Sequence, residues 1–99
     1  MAKLGIHLQD GFEGDEVVVK VNGEERLCRE GVRTKRVLGL AEHMELDVED
    51  GPLSIEVSVP NRGLEKRVEL EVSGEVHAGV SLANGEIRVI SRKTRFGYG

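Results

Sequence analysis

The chain reads as an all-β protein, a single antiparallel β-sandwich of about eight strands. Three observations predict this. Apolar and polar residues alternate along most of the sequence; the dipeptides Asn22-Gly23, Asp50-Gly51 and Asn84-Gly85 fall between alternating stretches; and no long stretch keeps convincing helical spacing. A tight hairpin needs positive φ at its central residues, which glycine adopts freely and Asn or Asp tolerates better than most.

Taken in order, Ile6 and Leu8 alternate with His7 and Gln9 in a short first strand that ends at Asp10-Gly11. After the loop to Asp15, Val17, Val19 and Val21 share one face of a second strand, with Glu16, Val18 and Lys20 on the other. A third strand follows Asn22-Gly23 and covers about Glu24 to Glu30. A two-residue loop would set Val17 and Val19 against Cys28 and Arg26. A three-residue loop ending in a positive-φ Gly23 sets them against Leu27 and Glu25 and is the expected form. It puts Cys28 on the face of Glu16 and Val18, away from the core.

From Thr34 to Glu49 two periods compete. Val37, Leu40, Ala41, Met44 and Val48 follow helical spacing; Met44, Leu46 and Val48 also follow strand spacing. Treating Asp50-Gly51 as a two-residue hairpin turn decides for strand, because Val48, Leu46 and Met44 then meet Leu53, Ile55 and Val57. A short helical turn over Val37 to Ala41 stands as an alternative. The next strand runs from Leu53 to Val59 and breaks at Pro60-Asn61-Arg62-Gly63. Val68, Leu70 and Val72 alternate next, and Ser73-Gly74 separates them from Val76, Ala78, Val80 and Leu82. Asn84-Gly85 then sets Leu82 against Ile87 and Val80 against Val89.

Strands with one apolar and one charged face need a second layer, and with no long helix available another sheet must supply it. The architecture expected is immunoglobulin-like or transthyretin-like, with a small barrel as the alternative. With one cysteine and no tryptophan, the immunoglobulin cysteine pair and core tryptophan are absent, so any resemblance is one of architecture and not of motif. The 99 residues fit one domain over 1–99, whose folding buries roughly 60 to 70% of the unfolded chain's surface.

Composition narrows the class further. Hydrophobic residues make up 38% and charged residues 32%, too apolar for a disordered acidic tail and too charged for a membrane protein. No stretch has the length of a membrane span and the N-terminus lacks the apolar run of a secretory signal, so the expected compartment is cytoplasmic, a processed secreted chain being the alternative. Cys28 is the only cysteine, which rules out an intrachain disulfide and a cysteine-based zinc cage within one chain. A net charge of −4 weighs against nonspecific nucleic-acid binding, though a local basic patch is compatible with it.

Sites of chemistry are sparse. His7, His43 and His77 have no metal-ligand spacing and read as three unrelated imidazoles, with His7 and His77 opposite the apolar face. The acidic loops around Asp10 to Glu16 and Asp47 to Asp50 read as turn chemistry rather than calcium sites, since neither has the EF-hand pattern. No nucleophile elbow, phosphate loop or paired-carboxylate signature accompanies Cys28 or the serines, and no catalytic residue, metal or cofactor is expected. Phe12, Phe96 and Tyr98 are the only aromatics, a sparsity that weighs against carbohydrate recognition without removing it.

The candidate interaction surface is the C-terminal segment: Arg88, Arg92, Lys93, Arg95, Phe96 and Tyr98, with Arg33, Lys35 and Arg36 as a proposed extension. The leading functional expectation is a non-catalytic protein-interaction or assembly domain, self-associating or binding a protein partner through edge strands. Nucleic-acid or polyanion binding by the basic and aromatic tail is the alternative.

Overall fold

Eight strands form two four-stranded sheets packed face to face. In the computed structural model, which describes residues 2–34 and 42–93, they are β1 (Ala2–Leu8), β2 (Glu13–Val21), β3 (Glu24–Arg33), β4 (Glu42–Val48), β5 (Gly51–Val59), β6 (Leu64–Val72), β7 (Glu75–Ala83) and β8 (Glu86–Arg92). One sheet has the order β4-β1-β7-β8 and the other β3-β2-β5-β6. Among the described residues no strand pair joins the two sheets, so the structure is a sandwich and not a closed barrel. The stretch Val37 to Ala41, where a helical turn stood as the alternative, lies outside the described residues.

The central strands supply the core. Leu4, Ile6 and Leu8 of β1, Val17 and Val19 of β2, Ile55, Val57 and Val59 of β5, and Ala78 and Val80 of β7 are all fully buried. Each such Leu, Ile or Val contributes about 1.5–3 kcal/mol relative to exposure. On the edges Met44, Leu46, Leu64, Leu70 and Val89 pack against this core but are only partly covered.

Register shows where the alternating pattern was decisive and where it was degenerate. Asn84 and Gly85 both have positive φ, and Leu82 pairs with Ile87 and Val80 with Val89 as expected. Asp50-Gly51 makes no hairpin. It carries the chain from one sheet to the other: Met44, Leu46 and Val48 pair with Ile6, Leu4 and Ala2, while β5 lies between β2 and β6. Any alternating strand presents an apolar row to any other, so matched apolar partners did not single out β4 with β5.

The first hairpin also differs from expectation. Asn22 and Gly23, both at positive φ, form a two-residue turn closed by Val21 and Glu24. The extra residue is Arg26, inside the strand, where Val19 pairs with Leu27 while Lys20 pairs with Glu25. Val17 consequently faces Arg29 rather than Leu27. Cys28 still pairs with Val18 on the outer face, as the sequence predicts, and is exposed there. Strand β3 runs on to Arg33, past the expected end at Glu30.

One pairing departs from the antiparallel pattern: β1 and β7 are parallel, with Leu4 beside Val76 and Ile6 beside Ala78. The loop after β1 is held to the end of β7 by Gln9 N–H to Val80 O at 2.7 Å and Leu82 N–H to Asp10 O at 2.8 Å. Thr34 Oγ1 accepts from Phe12 N–H and donates to Gln9 O, fixing the same loop from β3.

Asp15 is the polar knot of this end. It is 2% exposed and receives two guanidinium bonds from Arg62, at 2.8 and 3.0 Å, together with Asn61 Nδ2–H at 2.8 Å and Glu13 N–H at 2.9 Å. The Arg62 bonds, with smaller help from Glu13 N–H and Asn61, outweigh desolvation and lower the carboxyl pKa to about 2. Arg62 stands on the short 3-10 turn Pro60–Arg62, which Gly63 ends at φ 65°. The break expected at Pro60 is thus also the support for a buried ion pair.

Candidate interaction surface on one sheet

The outer faces of the two sheets differ in kind. On the β3-β2-β5-β6 sheet that face is polar and exposed or half-exposed, with Lys20, Cys28, Glu56, Arg67 and Glu69. On the β4-β1-β7-β8 sheet it carries Lys3, Gly5 and His7 of β1, His43 and Glu45 of β4, Glu75, His77 and Gly79 of β7, and Arg88, Ile90 and Arg92 of β8.

The three histidines are not unrelated. The β1–β4 register puts His7 beside His43, whose rings stack with centroids 5.8 Å apart, and the parallel β1–β7 register brings His7 Nε2 within 3.0 Å of His77 Nδ1. His77 Nε2 lies 2.6 Å from Glu75 Oε2. A carboxylate only accepts, so His77 Nε2–H donates to Glu75; in the neutral ring Nδ1 is then the acceptor, and His7 Nε2–H donates to it. His7 is 6% and His77 2% exposed. They do lie opposite the apolar face, yet they are buried, because Gly5 leaves room for both rings. A Cβ at Gly5 would run into the His77 ring, and one at Gly79 would meet the Gln9 carboxamide at 2.5 Å.

This chain of bonds is a poor metal cage. One nitrogen of each buried ring is engaged with the other ring, and among the described residues no group of three His, Cys, Asp or Glu has metal-holding geometry. Nor does it meet the cysteine: Cys28 lies on the outer face of the opposite sheet. The signal that could have found the cluster is Gly5 two residues before His7 and Gly79 two residues after His77, small residues on the face that the imidazoles occupy. Nothing local to the sequence states that the two strands are neighbours.

Of the expected interaction residues, Arg88 and Arg92 share the outer face of β8, with Lys93 immediately after; all three are exposed. Arg95, Phe96 and Tyr98 lie outside the described residues, as do Lys35 and Arg36. Arg33 does not extend this patch. It sits on β3, on the flank that Arg29 and Glu42 tie to β4 at 2.8 Å, whereas β8 is on the opposite flank, above β6. Phe12 is 2% exposed and belongs to the core.

The residue missing from the sequence reading is Ile90. It is 59% exposed and stands between Arg88 and Arg92 on the outer face. Its cross-strand neighbour is Gly79, which offers no side chain to cover it. Val89, pointing inward, is only partly buried. Both facts follow from β8 being the last strand of its sheet among the described residues.

Hairpin geometry also says which backbone groups this edge presents. The two-residue Asn84-Gly85 turn makes Ala83 and Glu86 a hydrogen-bonded pair, so Arg88, Ile90 and Arg92 also bond toward β7. Ile87, Val89 and Ser91 direct their N–H and C=O groups away from β7, and among the described residues no strand pairs with that side. Comparisons with protein-family models, curated proteins and solved structures return no match to this chain.

Among the described residues no helix is long and apolar enough to cross a membrane. The candidate surface comprises, among the described residues, an open strand edge, an exposed aliphatic residue and flanking cations.

Proposed function

We propose that this chain is a non-catalytic protein-interaction or assembly domain that engages a protein partner by strand addition at β8. The observation that carries this reading is the exposed Ile90 between Arg88 and Arg92 on an edge strand whose odd-numbered backbone groups face outward. Backbone hydrogen bonds along such an edge supply affinity, while alternate side chains select the partner. The 4+4 architecture is compatible with the immunoglobulin-like or transthyretin-like layouts expected of the sequence, and we take the domain to act in the cytoplasm.

Polyanion binding is the second reading, favoured by Arg88, Arg92 and Lys93 on one flank. Glu86 on the same strand and Glu75 on its neighbour dilute that positive charge, and among the described residues no aromatic platform accompanies it.

Ser91→Pro tests the edge. Ser91 is exposed and its N–H points away from β7, so proline removes an outward donor and no internal ladder bond. Affinity capture from nuclease-treated extract of the source cells is expected to enrich a protein on the wild-type chain and to lose it on Ser91→Pro, both baits melting at similar temperatures. A protein retained equally by both baits contradicts edge pairing; loss of enrichment on nuclease treatment alone moves the function to nucleic acid.

A further inference from the structure

We infer that the partner strand is β8 of a second copy, paired antiparallel about Val89. This rests on the reading of β8 as the contact edge and adds the identity of its occupant. Outward backbone groups belong to Ile87, Val89 and Ser91, so a second β8 bonds in register only when odd residues meet odd residues. Shifting by one residue turns the side chains onto the wrong face.

Among the registers that remain, charge decides. Centred on Val89, the pairing sets Glu86 of one copy opposite Arg92 of the other, twice by symmetry, and Arg88 opposite Ile90. Centred on Arg88, it sets the two Arg88 side chains against each other. Centred on Ile90, it sets Arg88 against Arg92 twice. Like charges directly opposite are unfavourable and opposite charges favourable, and centring on Ile87 or Ser91 overlaps only the end of each β8, so the Val89 register alone matches charges over the whole strand.

That register also covers what β8 leaves open. The aliphatic stem of Arg88 lies over the exposed Ile90 of the other copy. On the inner face the two half-buried Val89 side chains meet across the twofold axis and Ile87 meets Ser91, extending the core of one sandwich into the next. The result is a continuous eight-stranded sheet with one twofold interface, a closed arrangement that cannot grow into a filament through this edge. The other edge of the same sheet does not offer this. Strand β4 carries Glu42, Glu45 and Asp47, and antiparallel pairing about its centre places Glu45 against Glu45.

Disulfide trapping reads the register directly. In a Cys28→Ser background, Arg88→Cys and Ile90→Cys are made as separate proteins. Opposite residues of a non-hydrogen-bonded pair have Cα atoms about 4.5 Å apart, within disulfide reach. Mixing the two under mild oxidation is expected to give the mixed dimer, with little dimer from either protein alone. Self-dimers of Ile90→Cys or of Arg88→Cys show a different register and overturn the proposal.

Charge exchange checks the same pairing by sedimentation. Glu86→Arg is expected to weaken association about tenfold, and Glu86→Arg with Arg92→Glu to restore it. Growing polymers, or a dimer indifferent to Glu86→Arg, overturn the twofold arrangement. A strict monomer at high concentration removes the second copy as occupant; if capture is then still lost on Ser91→Pro, the edge stands as the contact and only the partner is different.

Discussion

Replacing Arg62 with leucine is expected to cost about 3 kcal/mol of folding stability, measured as a lower urea midpoint at unchanged slope. The reason is what remains behind. Asp15 is buried, and without the two guanidinium bonds its carboxylate keeps only Asn61 Nδ2–H and Glu13 N–H. Asp15→Asn combined with Arg62→Leu should cost less than the separate losses added together, since neither variant then strands a buried charge.

The same pair has a pH signature. Because the folded pKa of Asp15 is lowered to about 2 from 3.8, its contribution is fully present above about pH 4 and is lost as pH falls toward 2. The linkage amounts to about 2 kcal/mol. In Arg62→Leu the carboxyl loses its main stabilising partner and this acid-dependent loss should shrink. An Arg62→Leu protein with wild-type midpoint and wild-type acid sensitivity would show that the ion pair has no role in holding the start of β2 to the Pro60–Arg62 turn.

Gly11→Ala is expected to have an effect of similar size by a different route. Gly11 sits at φ 91°, where an L residue is strained, and a Cβ there would drive into the carbonyl of Leu82 on β7. Both that carbonyl's strand and the Gly11 loop are fixed by backbone bonds, including Leu82 N–H to Asp10 O, so neither yields cheaply. Conformational strain and overpacking together give a loss of about 3 kcal/mol. Gly74→Ala is the control. Gly74 has φ 83° and open space where the Cβ would go, so only the conformational part applies, about 1 kcal/mol. Equal losses at the two sites would mean that the contact with Leu82 is not rigid.

How far these features could be read from the chain depends on their range in sequence. The Asn84-Gly85 hairpin is local, and its turn residues and cross-strand partners were legible because two adjacent stretches and one dipeptide specify everything. The face of Cys28 came out as expected because the one extra residue placed in the loop is present in the strand at Arg26, and either position turns Cys28 to the side of Val18. The pairing of β4 with β1 was not, because apolar rows match one another without preference. His7 meets His77 across seventy residues, and only the parallel β1–β7 pairing, which no turn signals, brings them together.

Asp15 and Arg62 show the same limit. Each has a sufficient local reading, an acidic loop and a strand break, and neither names the other. The candidate surface was half legible. Arg88, Arg92 and Lys93 stand out as cations, and alternation with Ile87 and Val89 turns Ile90 to the same face; what no local pattern states is that β8 is the last described strand of its sheet and that Gly79 leaves Ile90 uncovered.

The claim that β8 is an open edge used for pairing is tested most directly by amide hydrogen exchange resolved along that strand. In dilute protein the account predicts fast exchange at Ile87, Val89 and Ser91 and slow exchange at Arg88 and Ile90, with the three odd amides slowing as concentration rises. Odd amides equally fast at every concentration would remove the second copy as the occupant of the edge; odd amides already slow in dilute protein would contradict the open edge itself.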